Sequence, residues 1–372
     1  MKYFIEISKI IDGAIKLDKV KVENYIRLLM KKLEKDGDDK AAIKLKGLLE
    51  KNSSNSLNPM DISSISKTPV DFESRIPMAD VIMPESNTDT IILSNKNEME
   101  LDAFLLSYKK SDELYSLGLD LPNTLIMFGP PGCGKTKCAS YIASKLELPL
   151  IVARLDSMIS SYLGTTAKNI RNLFEYAQKT PCVLFLDEFD AIAKARDDNN
   201  ELGELKRVVN SLLQNIDSLG SNTLLVAATN HEELLDKAIW RRFHYKMNIV
   251  LPDLEGRKKL IRLFIKNIIK ITDKELEMVG LACKGMNGAE IEEVINKAIQ
   301  KSIIFENEFN INSIFNEIFT IKINIDSNLT LKQIQKLKIK YLRGLDEKIF
   351  SYSVISNILK ISKSQISVML KE

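Results

Sequence analysis

TLIMFGPPGCGKT, residues 124–136, runs from a short apolar segment straight into a glycine-rich turn ending in a lysine and a threonine. The turn GPPGCGKT has the spacing G-x-x-x-x-G-K-[ST]. Its flanks agree: a strand before it, and after it a helical period with Cys138, Ala139, Ile142, Ala143 and Leu146 on one side. Glycines let backbone N–H groups close around phosphate oxygens, a lysine can reach the outer phosphates, and a hydroxyl suits Mg²⁺. Gly129, Pro130, Pro131, Gly132, Cys133, Gly134, Lys135, Thr136 and Lys137 are therefore the expected cradle of a nucleoside triphosphate, with Thr136 on the metal.

Outward from this loop, apolar runs alternate with helical periods. LPLIVARL (148–155), CVLFLD (182–187) and TLLVAAT (223–229) read as strands buried on both faces. Between them lie a helix over Lys168 to Gln178, with Ile170, Leu173, Phe174 and Ala177 aligned, and another carrying Leu205, Val208, Val209, Leu212, Leu213 and Ile216. The alternation predicts an α/β fold, a parallel sheet with helices on both faces, over residues 61–253. A small helical domain is expected over 254–320, with a helical region and linker at 1–60 and a basic helical extension at 321–372. In the first region two amphipathic patterns between Val22 and Leu49, joined by KDGDD, predict a helical hairpin.

Hydrolysis needs acids beside the phosphates. CVLFLDEFD (182–190) delivers Asp187 and Glu188 at the carboxyl end of a buried strand, where ligands sit in such sheets. Asp187 would hold Mg²⁺ and Glu188 would polarise the attacking water, whereas Asp190 reads as structural. Asn230, ending TLLVAATN, could orient that water or simply begin a turn. In AIWRRF, Arg241 and Arg242 are adjacent, so they point in different directions and are poorly arranged to clamp one phosphate of their own chain. A solvated basic pair and an arginine finger offered to a neighbouring molecule are the two readings.

GPPGCGKT, CVLFLDEFD, TLLVAATN, AIWRRF and GMNGAEIEEVINKA (285–298), in this order, resemble the AAA family of ATPases within the AAA+ group, over roughly Leu121 to Ala298. The resemblance implies ATP as substrate, Mg²⁺ as cofactor, and a helical lid in which Gly288 and Ala289 lie close to the nucleotide. It implies that Arg241 and Arg242 match the finger positions, which act across a subunit boundary in a ring, usually a hexamer. The lack of an arginine near Gly288 favours the protein-remodelling branch over initiators and clamp loaders. SYLGTTAKNIRNLFEYA (161–177) is similar to the family's pore segment, so Tyr162, Leu163 and Gly164 are expected to project into the ring and grip a protein substrate. An exposed aromatic offers apolar area at small rotamer cost; the alternative is that Tyr162 packs on its own domain. DDNNELGE (197–204) is either a second pore loop or a plain connection.

Composition narrows the class. Of 372 residues, 45% are hydrophobic and 28% charged, which excludes a disordered or fibrous chain. The four cysteines lack paired spacing, against a disulfide framework or a zinc site, and only His231 and His244 could serve histidine chemistry. No apolar run approaches membrane-spanning length, so a cytoplasmic protein without a membrane partner is expected. The net charge of +3 is uninformative about partners. After Ile321, however, ten basic residues face four acidic ones. YSVISNILKISKSQISVMLKE (352–372) reads as two short helices with Ser364 as a cap, either a helix-turn-helix offering Gln365 and Ser367 to DNA or a basic cap on the lid. The expected function is thus an ATP-driven ring motor acting on proteins, with an ATP-controlled DNA-binding switch as the alternative.

Overall fold

The computed structural model describes residues 2–16, 18–52, 69–70, 77–84, 90–155, 163–191, 202–220, 223–323 and 329–371. Contacts divide the chain into two units. One holds Met1–Ile91, Asn95–Gly129 and Lys135–Ile249; the other holds Ile92–Ser94, Pro130–Gly134 and Val250–Glu372.

In the first unit, β1 (Ala79–Ile82), β2 (Thr124–Phe128), β3 (Leu150–Ala153), β4 (Cys182–Leu186), β5 (Thr223–Thr229) and β6 (Tyr245–Asn248) form a sheet in the order β1-β3-β4-β5-β2-β6. Pairings from β3 through β6 are parallel, as the apolar runs imply. β1 departs from the expected all-parallel sheet: it runs antiparallel to β3, with Ala79 opposite Ala153. Neither edge strand is legible as a buried run, because ADVI and YKMN alternate between buried and exposed positions over only four residues each.

Side-chain parity assigns the two faces of the sheet. Ile126, Leu184, Leu186, Leu225 and Ala227 join one core with Ile170, Leu173 and Phe174 of α7 (Leu163–Gln178) and with Val208, Leu212 and Ile216 of α8 (Leu202–Asp217). Leu125, Met127, Val183, Phe185 and Val226, of opposite parity, are as fully buried. That side receives α6 (Lys135–Leu146), which packs on β3, β4 and β5, and α4 (Asn95–Lys109), which packs on β6. A short α9 (Lys237–Trp240), N-capped by Asp236, lies between β5 and β6.

The expected hairpin is present as α2 (Lys19–Lys35) and α3 (Asp39–Asn52), preceded by a further helix, α1 (Phe4–Ile15). Together they meet the amino-terminal end of the sheet. The Tyr3 N–H donates to Asp112 of α5 (Ser111–Ser116), ahead of β2, at 3.0 Å. Lys35 pairs with Glu147, ahead of β3, at 2.7 Å, and Asn24 Nδ2 donates to Thr180 Oγ1, ahead of β4, at 2.9 Å. Between α1 and α2 the buried Glu6 accepts from Lys32 Nζ at 2.7 Å, while its other oxygen has no partner among the described residues.

The second unit contains α10 (Leu254–Ile265), α11 (Asp273–Ala282), α12 (Gly288–Ile304), α13 (Ile311–Lys322), α14 (Leu331–Leu345), α15 (Tyr352–Leu359) and α16 (Lys363–Lys371). Ile261, Val279, Ile295 and Ile314 share one apolar core with Ile339, Ile355 and Ile366, so the basic C-terminal helices close over the helices that precede them. The cap of α16 is Ser362 rather than Ser364. Its Oγ accepts from Gln365 N–H at 3.3 Å and its own N–H donates to Gln365 Oε1 at 3.0 Å, the reciprocal pair that Ser-x-x-Gln allows. Gln365 is therefore committed to the helix start. Among the described residues no helix is long and apolar enough to cross a membrane.

Breaking the Glu6–Lys32 pair leaves a carboxylate buried alone. Lys32→Met should lower unfolding stability by about 3–5 kcal/mol, and Glu6→Leu combined with Lys32→Met should recover most of it. Urea denaturation of the three proteins checks both values.

Candidate active site

Strand β2 ends at Phe128, and the chain turns at once through three glycines with positive φ, Gly129 (131°), Gly132 (72°) and Gly134 (96°). At Gly129 a Cβ would run into the carbonyl oxygen of Ile249, so only glycine keeps the last residues of β2 beside β6. Residues 130–134 group with the second unit, where the Ala289 N–H donates to the Gly132 carbonyl at 3.1 Å. A Cβ on Gly132 would come within 2.7 Å of the Asn287 side chain, and one on Gly288 within 3.3 Å of the Gly132 oxygen. Gly288 and Ala289 thus open α12 against Gly132. Asn287, which the sequence reading passed over, caps that helix in a reciprocal pair with Glu290, a signal present as Asn-x-x-Glu.

Lys135 and Thr136 begin α6, and a helix start of this kind suits an anion. Lys135 is buried and its Nζ donates to the Gly129 carbonyl at 2.7 Å, folded over its own loop. The Thr136 hydroxyl donates to Asp187 Oδ2 at 2.9 Å. One hydrogen bond thus joins the glycine-rich loop to the acidic strand end. Two hard oxygen donors this close fit Mg²⁺. Cys133 is half-buried in the turn and Lys137 is exposed in the first turn of α6; Pro130 and Pro131 complete the loop.

Beyond Asp187 the backbone makes a tight turn. Glu188 is exposed and has φ 48°, in the left-handed region that a side chain disfavours. Its neighbours hold it there. Asp187 Oδ1 accepts from the Glu188 N–H at 2.9 Å, and the Phe189 N–H donates to Ala228 at 2.8 Å. Asp190, buried at 3% exposure, accepts from Thr229 Oγ1 at 3.0 Å and from the Asn230 N–H at 3.4 Å. The structural reading of Asp190 becomes specific: it stitches the ends of β4 and β5 together. Because β5 lies between β4 and β2, Asn230 emerges between the acids and the glycine-rich loop.

The arginines lie elsewhere. Thr124 Oγ1, at the amino end of β2, donates to the Arg242 carbonyl at 2.8 Å, whereas the glycine-rich loop leaves the carboxyl end. The five residues between span about 16 Å at about 3.3 Å each, farther than an arginine side chain extends. Arg241 is exposed, and among the described residues its guanidinium has no partner. Arg242 is held by Asp217. Tyr162 lies outside the described residues, as do 197–201. Leu163 and Gly164 open α7, so the helix starts five residues earlier than its apolar pattern from Lys168 suggests.

A protein of Sinorhizobium fredii described as an uncharacterized AAA family ATPase, y4kL, is 45% identical over 223 residues, covering 60% of this chain and 67% of that one. The chain belongs to the AAA family of ATPases. Residues 125–251 match the family model for ATPases associated with various cellular activities. The ATP-dependent zinc metalloprotease FtsH of Parabacteroides distasonis is 34% identical over 203 residues, 52% of this AAA chain but 30% of the protease, so the match spans under a third of that relative's length. The crystal structure of the FIGL-1 AAA domain superposes with a TM-score of 0.55 at 21% identity, over 73% of this chain and 92% of that one, a likeness of fold alone. As an AAA member the chain is an ATPase, and its sheet is the AAA sheet.

Asp190 gives the geometry a direct check. Asp190→Ala removes the acceptor that fixes the Asn230 backbone at the end of β5, and a displacement of about 1 Å at a reacting site can cost about 10²-fold in rate. Phosphate release should fall by roughly one to two orders of magnitude while ATP affinity, read by nucleotide titration, stays the same.

Proposed function

We propose that this AAA ATPase is a ring-forming motor, hexameric in its working state, whose active sites are completed between copies and whose turnover remodels a protein substrate. The observation carrying this reading is the position of Arg241 and Arg242 at the amino end of β2, the end of the strand opposite the phosphate loop. A guanidinium there can serve only the site of another copy.

In this reading ATP lies along residues 129–137, and the Lys135 ammonium exchanges the Gly129 carbonyl for the β and γ phosphates. Thr136 and Asp187 would hold Mg²⁺, which supplies charge neutralisation on the phosphate oxygens. Glu188 accepts a proton from the attacking water, and Asn230 orients that water from the neighbouring strand end. Gly288 and Ala289 border the nucleotide from α12. Arg241 or Arg242 of the next copy stabilises the charge that develops as the γ-phosphoryl leaves, a contribution of about 10³ to 10⁵ in rate in such enzymes. Similarity to FtsH supports a protein as the substrate, and Tyr162, with Leu163 and Gly164, is the proposed grip. We place the motor in the cytoplasm.

Mixing variants tests the shared site. Glu188→Gln lacks the base but donates its arginines; Arg241→Ala with Arg242→Ala lacks the arginines but keeps the base. Each protein alone should be inactive in phosphate release, and a mixture should regain turnover. No recovery, together with wild-type turnover per chain that ignores dilution, rejects the ring. Tyr162→Ala should leave ATP turnover within about twofold and abolish unfolding of a loosely structured protein substrate, since an aromatic contact outside the site does not touch the reacting atoms.

A further inference from the structure

Two adjacent arginines present the same chemistry, yet the structure treats them differently. Arg242 Nε and Nη2 donate to the two oxygens of Asp217 at 3.2 Å each, and Nη1 donates to the Ala238 carbonyl at 2.8 Å. Its carbonyl oxygen accepts from Thr124 Oγ1, which in turn accepts from the His244 N–H at 3.0 Å. The residue is thus fixed from α8, from α9 and from β2 together. Arg241 ends α9 with helical dihedrals, φ −70° and ψ −19°, its backbone N–H on Lys237, and its guanidinium in solvent.

We propose that Arg241 alone is the arginine delivered to the neighbouring copy, and that Arg242 is a positioning residue whose bidentate clamp on Asp217 fixes the backbone presenting Arg241. This assignment rests on the trans-completed site proposed above. To meet a phosphate, Arg242 would surrender three charge-assisted hydrogen bonds made within its own chain, whereas Arg241 gives up only water. Asp217 is half-exposed, and an exposed ion pair contributes little to overall stability. The clamp therefore matters for orientation, where small displacements have large kinetic effects. It also ties the arginine segment to the last residue of α8, a helix packed on α7.

The test uses the full chain assembled with ATP, and reads kcat, KM and nucleotide affinity separately. Arg241→Ala should lose about 10³-fold in kcat. Arg242→Ala and Asp217→Ala should each lose roughly 10- to 100-fold, with KM and nucleotide affinity unchanged. Combining the two should cost no more than either alone, because both break one contact. Arg242→Lys, which keeps the charge but not the two-pronged contact, should behave like Arg242→Ala. The reversed pair, Asp217→Arg with Arg242→Asp, should recover most of the rate. The assignment is overturned if Arg242→Ala is as inactive as Arg241→Ala while Asp217→Ala turns over normally and the reversed pair stays inactive, since a guanidinium touching phosphate cannot be moved to position 217. If Arg241→Ala itself keeps full turnover, the trans-completed site falls, and this assignment with it.

Discussion

The approach of Gly129 to the carbonyl of Ile249 governs the first unit. There the Ile249 N–H donates to Phe128 at 2.8 Å, closing the β2–β6 ladder at its last rung, and the missing Cβ lets the chain leave into the phosphate loop without separating the strands. Because β2 lies inside the sheet, parallel to both neighbours, that rung helps align the carboxyl edge: Lys135 over its loop, Thr136 on Asp187, Asn230 between. The same strand carries the arginine segment at its other end through Thr124. One buried strand thus sets the distance between the glycine-rich loop and the arginine segment.

Order at the acidic turn is maintained against a backbone preference. A side chain held near φ 48° costs on the order of 1–3 kcal/mol, and Glu188 keeps it because the residues on either side are fixed by strong local bonds. Asp187 faces Thr136 and the Glu188 N–H; Phe189 is buried with an edge-on contact to Phe243 at 6.0 Å; Asp190 grips β5. The turn leaves Glu188 exposed beside a buried frame of Phe189 and Asp190.

The central strands and the glycine-rich loop were legible because each carries an undiluted signal, a continuous apolar run or a fixed spacing of Gly, Lys and Thr. Asp187, Glu188 and Asn230 followed from their positions at strand ends. The edge strands did not: ADVI and YKMN gain their structure from neighbours 71 and 120 residues or so along the chain, which no local pattern encodes. The difference between Arg241 and Arg242 was likewise invisible, since it depends on Asp217, 25 positions away. The C-terminal helices looked like a separable basic element, but the apolar positions Ile355 and Ile366 belong to the core of the preceding helices, and Gln365 is occupied in a cap. Amphipathic helices announce that they have a partner without naming it.

The first three helices bear on how the chain folds. Their anchors are distant in sequence: Lys35 meets Glu147 across 112 positions, and Asn24 meets Thr180 across 156. Contacts of such separation form slowly, because the intervening chain must be ordered before they can close. Until then α1 packs on α2, with α3 residues Ala42 and Leu45 in the same small cluster. The three helices therefore dock on the sheet late in folding, once the residues ahead of β3 and β4 are in place.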